Sequence, residues 1–139
     1  MLDQCLSMLA AAMAAAQDDW WIIGSAAVAL HGADPVVRDL DVLLTVADAR
    51  QILPGLGVAL TPGVADSRFR SDYYCQWNAP PVPVDFMAGF HVHGEPLVPA
   101  TRIALAGVFV PSRDELVAML QYFGRPKDLE RASLLQLAM

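Results

Sequence analysis

The sequence predicts a single mixed α/β (α+β) domain, in which a mixed sheet packs on helices and two helices lie at the carboxyl-terminal end. Apolar residues recur at helical spacing near both ends, and short strand-like segments separated by turns fill the middle. The length of 139 residues suits one hydrophobic core, so residues 1–139 are expected to form one domain.

The amino-terminal part alternates helical and extended segments. Apolar residues at helical spacing over 2–17 predict an amphipathic helix, and the bulky apolar run 20–23 is typical of a strand. That strand should stop at Gly24 and Ser25, after which residues 26–31 predict a brief helix.

The middle of the chain is predicted to be mostly extended. Residues 39–46 form an apolar strand, followed by a short helix over 48–53. Three further strands are expected at 58–60, within 68–77 and at 82–87, with prolines confining the last to an edge or to a start near residue 84.

The carboxyl-terminal third returns to helices. Residues 88–101 are expected to be loop, and 103–110 a strand interrupted by glycine. Ser112 and Glu115 have the spacing of a capping box, which opens the first terminal helix, and 126–137 predict the second. The leucines of that last helix expected to face inward are Leu129, Leu134 and Leu137.

Composition restricts the partners of this domain. Hydrophobic residues make up 55% and charged residues 17%, which is more apolar surface than so small a domain readily buries. We therefore expect an interface with a second copy or a partner chain. The net charge of −6 argues against nucleic acid as a partner, except as an acceptor of a transferred group.

Cysteine usage and the amino-terminal residues predict a cytoplasmic location. Cys5 and Cys75 lack the spacing of a redox or zinc motif and are expected to be reduced and buried, although a disulfide between them stays open. Asp3 stands where an export signal would carry a basic residue, and the alanine-rich run that follows is too short to span a membrane.

Paired acids dominate the candidate chemistry. Because successive strand residues face opposite sides, Asp39 and Asp41 share one side, while Leu40, Val42 and Leu44 share the side that should be buried. Adjacent carboxylates repel each other and resist desolvation unless a cation bridges them. Oxygen ligands of this kind suit Mg²⁺, which points to phosphoryl or nucleotidyl transfer, although simple alternation would also give two solvent-facing acids.

Two further features fit that chemistry. Asp85 lies between Val84 and Phe86 in its own strand, so it faces away from them and can point toward the acidic pair. It could then complete a metal site or take a proton from an attacking hydroxyl. Gly24 lets the backbone approach a phosphate, and Ser25 offers a hydroxyl at the start of a helix.

These residues resemble the polymerase-beta type of nucleotidyltransferases, above all the small bacterial minimal and abortive-infection members. The resemblance spans roughly residues 20–135, close to the whole chain. The matching motifs, in chain order, are Ile23-Gly24-Ser25, Asp39-Leu40-Asp41, Asp85 and the segment Gly124-Arg125-Pro126-Lys127-Asp128-Leu129.

The resemblance implies the nucleotidyltransferase fold and Mg²⁺-dependent transfer of a nucleoside monophosphate from an NTP, expected to be ATP, to a hydroxyl. It also implies a helical toxin as partner, beside the homodimer that the composition leaves open. The implied catalytic and metal-binding residues are Asp39, Asp41 and Asp85, and the implied nucleotide-binding residues are Gly24, Ser25 and Lys127.

Departures from the family pattern keep a second function open. Pro35 and Val37 stand where relatives often carry Arg and Thr, and the helix over 116–122 lacks a Lys found in many of them. A catalytically degenerate interaction module, serving as an antitoxin or regulator, is therefore the alternative to an enzyme.

Several other polar and aromatic residues receive weaker assignments. Arg38 alternates away from the acidic side and is expected at the surface or an interface. His91 and His93 lack the further ligands of a zinc site and are expected to be a loop pair. The remaining candidates for phosphate or base contacts are Arg68, Arg70, Tyr73, Tyr74, Trp77 and Arg125.

Overall fold

The secondary structure follows the predicted order, and the computed structural model describes residues 1–138. Met139, the last residue of the predicted domain, lies outside the described residues. The helices in that range are α1 (Leu2–Ala12), α2 (Gly24–Leu30), α3 (Val46–Ile52), α4 (Arg113–Phe123) and α5 (Pro126–Leu137). The strands are β1 (Trp21–Ile23), β2 (Leu40–Leu44), β3 (Phe69–Arg70), β4 (Tyr73–Trp77), β5 (Val84–Ala88), β6 (His91–Val92), β7 (Glu95–Pro96), β8 (Ile103–Leu105) and β9 (Val108–Val110).

A four-stranded mixed sheet organises the molecule, in the order β1-β2-β5-β4. β2 runs antiparallel to β1 and parallel to β5, and β5 runs antiparallel to β4. The register places Ile23 beside Asp41, Asp41 beside Asp85, and Asp85 beside Gln76. One row of neighbouring residues across the sheet therefore contains both acids from β2 and β5.

The central position of β2 explains its burial. Leu40 and Val42 are fully buried and Leu44 is nearly so, which confirms the predicted apolar side of this strand. Leu43 is also buried, on the side that carries Asp41. Since β1 and β5 flank β2 on both edges, the half-buried Asp41 is the one strand residue of β2 with appreciable solvent contact.

The helices cover this sheet and one another. α2 contacts β1, β2, α4 and α5, and α1 buries Cys5, Leu6 and Leu9. The predicted Ser112 cap of α4 is confirmed, because the Ser112 hydroxyl accepts a hydrogen bond from the Glu115 amide at 3.2 Å. The second hydrogen bond of a capping box is not formed, since the Glu115 carboxylate accepts from the Ala100 and Thr101 amides instead. No helix within residues 1–138 combines the length and apolar character needed to cross a membrane.

The buried side of α5 differs from the prediction. Leu129 and Leu137 are 46% and 79% exposed, so their predicted inward orientation is wrong. The side that packs inward instead carries Asp128, Ala132 and Leu135, at the i, i+4 and i+7 spacing of one helical face. Asp128 caps the first turn and is buried, which rotates the neighbouring Leu129 away from the core.

Two further secondary-structure predictions, for residues 58–60 and 88–101, were also wrong. Residues 58–60 form no strand, and their nearest pairing is an isolated bridge between Pro62 and Tyr73. The stretch 88–101, expected to be loop, contains β6 and β7, which pair antiparallel with each other while β6 also pairs with β3. Strands of two residues carry too little periodicity to be visible in a sequence.

Both cysteines are free and buried, as predicted. The Cys5 sulfur accepts a hydrogen bond from the Val82 amide at 3.2 Å, which joins α1 to the segment before β5. The Cys75 sulfur accepts one from the Thr61 amide at 3.3 Å, which holds the long connection before β3 against β4. The two thiols therefore take part in the packing of separate regions.

Candidate active site

Three carboxylates converge at one end of the central sheet. Asp41 and Asp85 are register partners on parallel strands, so their side chains leave the same face at the spacing of adjacent strands. Asp39 lies just before β2, two residues from Asp41, and therefore shares that face. One oxygen from each of the three carboxylates lies within 4.8 Å of the others, so the convergence predicted from sequence is present.

Gly24 provides the space for one of these acids. It follows β1, begins α2 and has φ +69°, a left-handed conformation that L side chains rarely adopt. A Cβ at this position would lie 2.6 Å from Oδ2 of Asp41. The missing side chain therefore admits the Asp41 carboxylate, and Ser25, also buried, lines the same cleft one residue later.

Crowding of the acids changes their protonation. Burial, with smaller contributions from the charges of Asp39 and Asp85, raises the pKa of Asp41 to about 7. Burial and then the charge of Asp85 also raise the pKa of Asp39, against opposing effects of Arg131 and Lys127. Without a cation, Asp41 is therefore partly protonated near pH 7.

Asp85 is fixed by two neutral donors. The Tyr74 hydroxyl donates to Oδ2 and the Gln76 side-chain amide donates to Oδ1, each at 3.0 Å. Both donors lie on the same face of β4, since they are two residues apart on an extended strand. Burial and the nearby Asp85 charge raise the pKa of Tyr74, which keeps the phenol protonated and able to donate.

Basic side chains of the α5 region border the acids. Arg125 forms a two-point contact with buried Asp128, with Nε to Oδ2 at 2.6 Å and Nη2 to Oδ1 at 2.9 Å. Arg131 lies 4.0 Å from the same carboxylate. Lys127 is exposed and forms no salt bridge with the described residues, which leaves its ammonium available to an anionic ligand.

These groups line one cleft of about 500 Å³. Its mouth includes two strongly exposed apolar residues, Val36 at 70% and Val64 at 94%. Phe69 and Tyr74 also line it, so the cleft has an apolar part beside its acidic and basic parts. A volume of this order accommodates a small-molecule ligand of nucleotide size.

Known proteins with a similar fold were found among solved structures alone, since the chain matches no protein-family model and no curated protein sequence. A Thermotoga maritima protein provisionally described as a nucleotidyltransferase is 18% identical, with TM-score 0.70 over 95% of this chain and 88% of that one. The antibiotic-resistance factor ANT(2'')-Ia in solution is 14% identical, with TM-score 0.63 over 97% and 84% of the two chains. The same factor in complex with adenylyl-2''-tobramycin is 13% identical, with TM-score 0.61 over 94% and 87%.

The protein has the nucleotidyltransferase fold. In this fold the predicted residues Gly24, Ser25, Asp39, Asp41, Asp85 and Lys127 all line the same cleft.

The cleft of this nucleotidyltransferase fold also contains residues that the sequence did not assign to it. Arg38 was expected to lie away from the acids but borders the cleft, because irregular backbone precedes β2 and strand alternation does not extend to it. Arg131 and the hydrogen bond from Tyr74 to Asp85 were missed, since both depend on which elements are neighbours in space.

Other candidates lie outside the cleft. Arg68 is exposed and does not line it, and Trp77 is buried in the core. His91 bonds the carbonyl of Gly89 at 2.9 Å and His93 that of Tyr122 at 2.9 Å. Within residues 1–138, the cluster of three or more potential metal ligands is the Asp39, Asp41 and Asp85 group alone, so the histidines form no comparable site.

We expect Gly24→Ala to displace the Asp41 carboxylate. Gly57→Ala is a matched control, since Gly57 has φ +76° but no atom within 4 Å of the place where a Cβ would lie. Both changes should cost about 1–2 kcal/mol through backbone strain, measured by urea unfolding. Only Gly24→Ala should abolish the rise in melting temperature on adding Mg²⁺ or Mn²⁺, and its retention in that variant would contradict the assigned geometry.

The raised pKa of Asp41 predicts a pH-dependent stability. Between pH 3.8 and about 7, the folded chain keeps a proton that the unfolded chain releases, so the free energy of unfolding falls as the pH rises through this window. Asp41→Asn removes this loss. In EDTA at pH 8, Asp41→Asn should therefore have a higher melting temperature than wild type, by roughly 4 °C for each 1 kcal/mol of difference in the free energy of unfolding. The difference in melting temperature should be smaller at pH 5.

The exposed Asp34, outside the cleft, supplies the control for this measurement. Asp34→Asn should leave the melting temperature close to wild type at both pH values. A gap between wild type and Asp41→Asn that does not change with pH would show that the Asp41 charge is not the cause.

Proposed function

We propose that the protein transfers a nucleoside monophosphate from an NTP to a hydroxyl acceptor in a Mg²⁺-dependent reaction. The observation that carries this proposal is the convergence of Asp39, Asp41 and Asp85 in a cleft that α5 also lines with basic side chains. A site for a metal–triphosphate complex needs acids that bind the metal and basic groups that bind the phosphates, and this cleft contains both.

The donor set fits a hard divalent cation. Asp39, Asp41 and Asp85 supply only carboxylate oxygens, which suit Mg²⁺, and these three residues would hold the ion. When bound, Mg²⁺ would neutralise these carboxylates and stabilise charge on the transferring phosphoryl group. The raised pKa values of Asp41 and Asp39 support this assignment, because burial and repulsion between the acids outweigh the charges of the nearby basic residues, and a bound cation would offset both effects.

The phosphates would lie between α2 and α5. Gly24 and Ser25 bring backbone amides of the first turn of α2 to the cleft. Lys127 and Arg131 both act on the charge of Asp39, which supports placing them within reach of a triphosphate held there. Lys127 would bind the phosphates directly. Arg131 would act on them from farther away, since its guanidinium is also 4.0 Å from the Asp128 carboxylate.

Asp85 would take the proton of the acceptor hydroxyl. Its carboxylate is held by Tyr74 and Gln76, so one orientation toward the cleft is maintained without a substrate. A general base acts on a hydroxyl within about 2.6–3.2 Å. The alternative of a catalytically degenerate module has no specific observation in its favour, because the acids and the cleft are both present.

ATP is the nucleotide we propose. The structural neighbour solved in complex with adenylyl-2''-tobramycin holds an adenylyl group joined to tobramycin, which supports the same donor here. The acceptor would carry a hydroxyl on a small molecule, a protein or a nucleic acid. The net charge of −6 makes nucleic acid an acceptor at most, rather than a stably bound partner.

A second copy or a helical toxin is the protein partner we propose. Leu129 and Leu137 on α5 and Tyr122 on α4 are 46%, 79% and 46% exposed, which leaves apolar area for such contacts. Light scattering distinguishes the two, since a homodimer has twice the mass of the 15.0 kDa chain. A monomer would leave the toxin as the remaining candidate.

Asp39→Asn and Asp41→Asn should each reduce nucleotidyl transfer at least about 100-fold, because each removes a charge that holds the cation. The measurement is transfer of label from α-³²P-ATP with Mg²⁺ to protein, RNA and small-molecule fractions, alongside calorimetry of ATP–Mg²⁺ binding. Full labelling by both variants would rule out the assigned site.

Matched variants separate the site from general effects of charge. Asp34→Asn removes an exposed acid outside the cleft and should label acceptors as wild type does. Lys127→Ala should weaken ATP binding roughly tenfold, as expected for one contact of about 1.4 kcal/mol. Arg68→Ala removes a cation outside the cleft and should leave the ATP affinity unchanged.

A further inference from the structure

A hydroxyl of the protein itself already occupies the position of an acceptor. Tyr74 lines the cleft, is 43% exposed, and donates its phenolic hydrogen to Oδ2 of Asp85 at 3.0 Å. The proposed reaction requires a hydroxyl that donates to Asp85 from the cleft side. Tyr74 supplies such a hydroxyl: it donates to Asp85 and it lines the cleft.

The Tyr74 hydroxyl is not needed merely to orient the Asp85 carboxylate. Gln76 already holds Oδ1 of the same carboxylate at 3.0 Å and comes from the same face of β4. An amide nitrogen is not a nucleophile, whereas a phenolic oxygen beside a carboxylate has the pairing found in activated hydroxyl nucleophiles. The difference between these two donors therefore bears on chemistry as well as on geometry.

The neighbouring tyrosines are placed differently. Tyr73 faces the other side of β4, and its hydroxyl accepts a hydrogen bond from Nε of Arg50 at 3.2 Å. Tyr122 is 46% exposed on α4, and its hydroxyl donates to the carbonyl of Val92 at 3.3 Å. Neither lines the cleft, so Tyr74 is distinguished by position rather than by exposure.

We propose that Tyr74 is an acceptor of the nucleotide, so that the protein modifies itself. The proposal rests on the proposed function. The Tyr74 oxygen would attack the α-phosphorus of ATP, forming a P–O bond to the phenol while the bond between the α-phosphorus and the bridging oxygen to the β-phosphate breaks. Pyrophosphate leaves, and the phenolic proton passes to Asp85. The product is an adenylyl-tyrosine phosphodiester.

Two properties of this modification follow from its place. Donor cleft and acceptor hydroxyl belong to the same chain, so the rate constant should not depend on protein concentration. Once esterified, the Tyr74 oxygen can no longer donate to Asp85, and the adenylyl group fills part of a cleft of about 500 Å³. The reaction should therefore stop at one nucleotide per chain.

The purified 139-residue chain is incubated with α-³²P-ATP and Mg²⁺ and no other acceptor. Intact mass is recorded before and after, and the labelled peptide is sequenced by tandem mass spectrometry. We expect one adenylyl group on Tyr74, at a rate constant unchanged over a tenfold range of protein concentration. Tyr74→Phe should lose the label at least about 100-fold while still unfolding in one cooperative melting transition.

Tyr73→Phe and Tyr122→Phe are the matched controls, and both should label as wild type does. Label on another residue, label retained by Tyr74→Phe, or a rate constant that scales with protein concentration would overturn the proposal. If wild type binds ATP–Mg²⁺ and labels separate acceptors but never itself, Tyr74 only positions Asp85, and the proposed function stands without this inference. If calorimetry shows no ATP binding and no acceptor is labelled, both fail together.

Discussion

The side-by-side placement of Asp41 and Asp85 on parallel strands is the constraint on which the rest of the site depends. The register of β2 against β5 places the two acids side by side, where burial and the Asp85 charge both raise the pKa of Asp41. Several neighbouring groups favour this placement of the two carboxylates. Gly24 leaves room for one carboxylate, Tyr74 and Gln76 hydrogen-bond the other, and basic residues of the α5 region act on the cluster through their charge.

α5 connects this electrostatic balance to the fold. Asp128 caps the helix, is buried, and receives two hydrogen bonds from the Arg125 side chain, which also lies over the Phe69 ring at 4.7 Å. The same carboxylate is 4.0 Å from Arg131. The packing of one helix turn therefore fixes where positive charge meets the acids, and it leaves Lys127 as an exposed cation beside them.

The parts of the site that local periodicity determines could be predicted from the sequence. The shared face of Asp39 and Asp41 follows from strand alternation, and the cap at Ser112 follows from residue spacing, so both could be predicted. The hydrogen bond from Tyr74 to Asp85 could not, because it requires knowing that β4 lies beside β5. Likewise, the burial of Asp128 reversed the expected orientation of Leu129, since a buried charged cap is a tertiary feature that apolar spacing does not record.

The two buried sulfurs have a practical consequence for following motion at the cleft. Cys5 and Cys75 are almost inaccessible and neither lines the cleft, so a maleimide dye should find little to react with on the native chain. Val64, 94% exposed at the cleft mouth, offers a site where Val64→Cys would introduce the reactive thiol. A single fluorophore attached there would report how the rim responds when a ligand enters, without prior removal of the native cysteines.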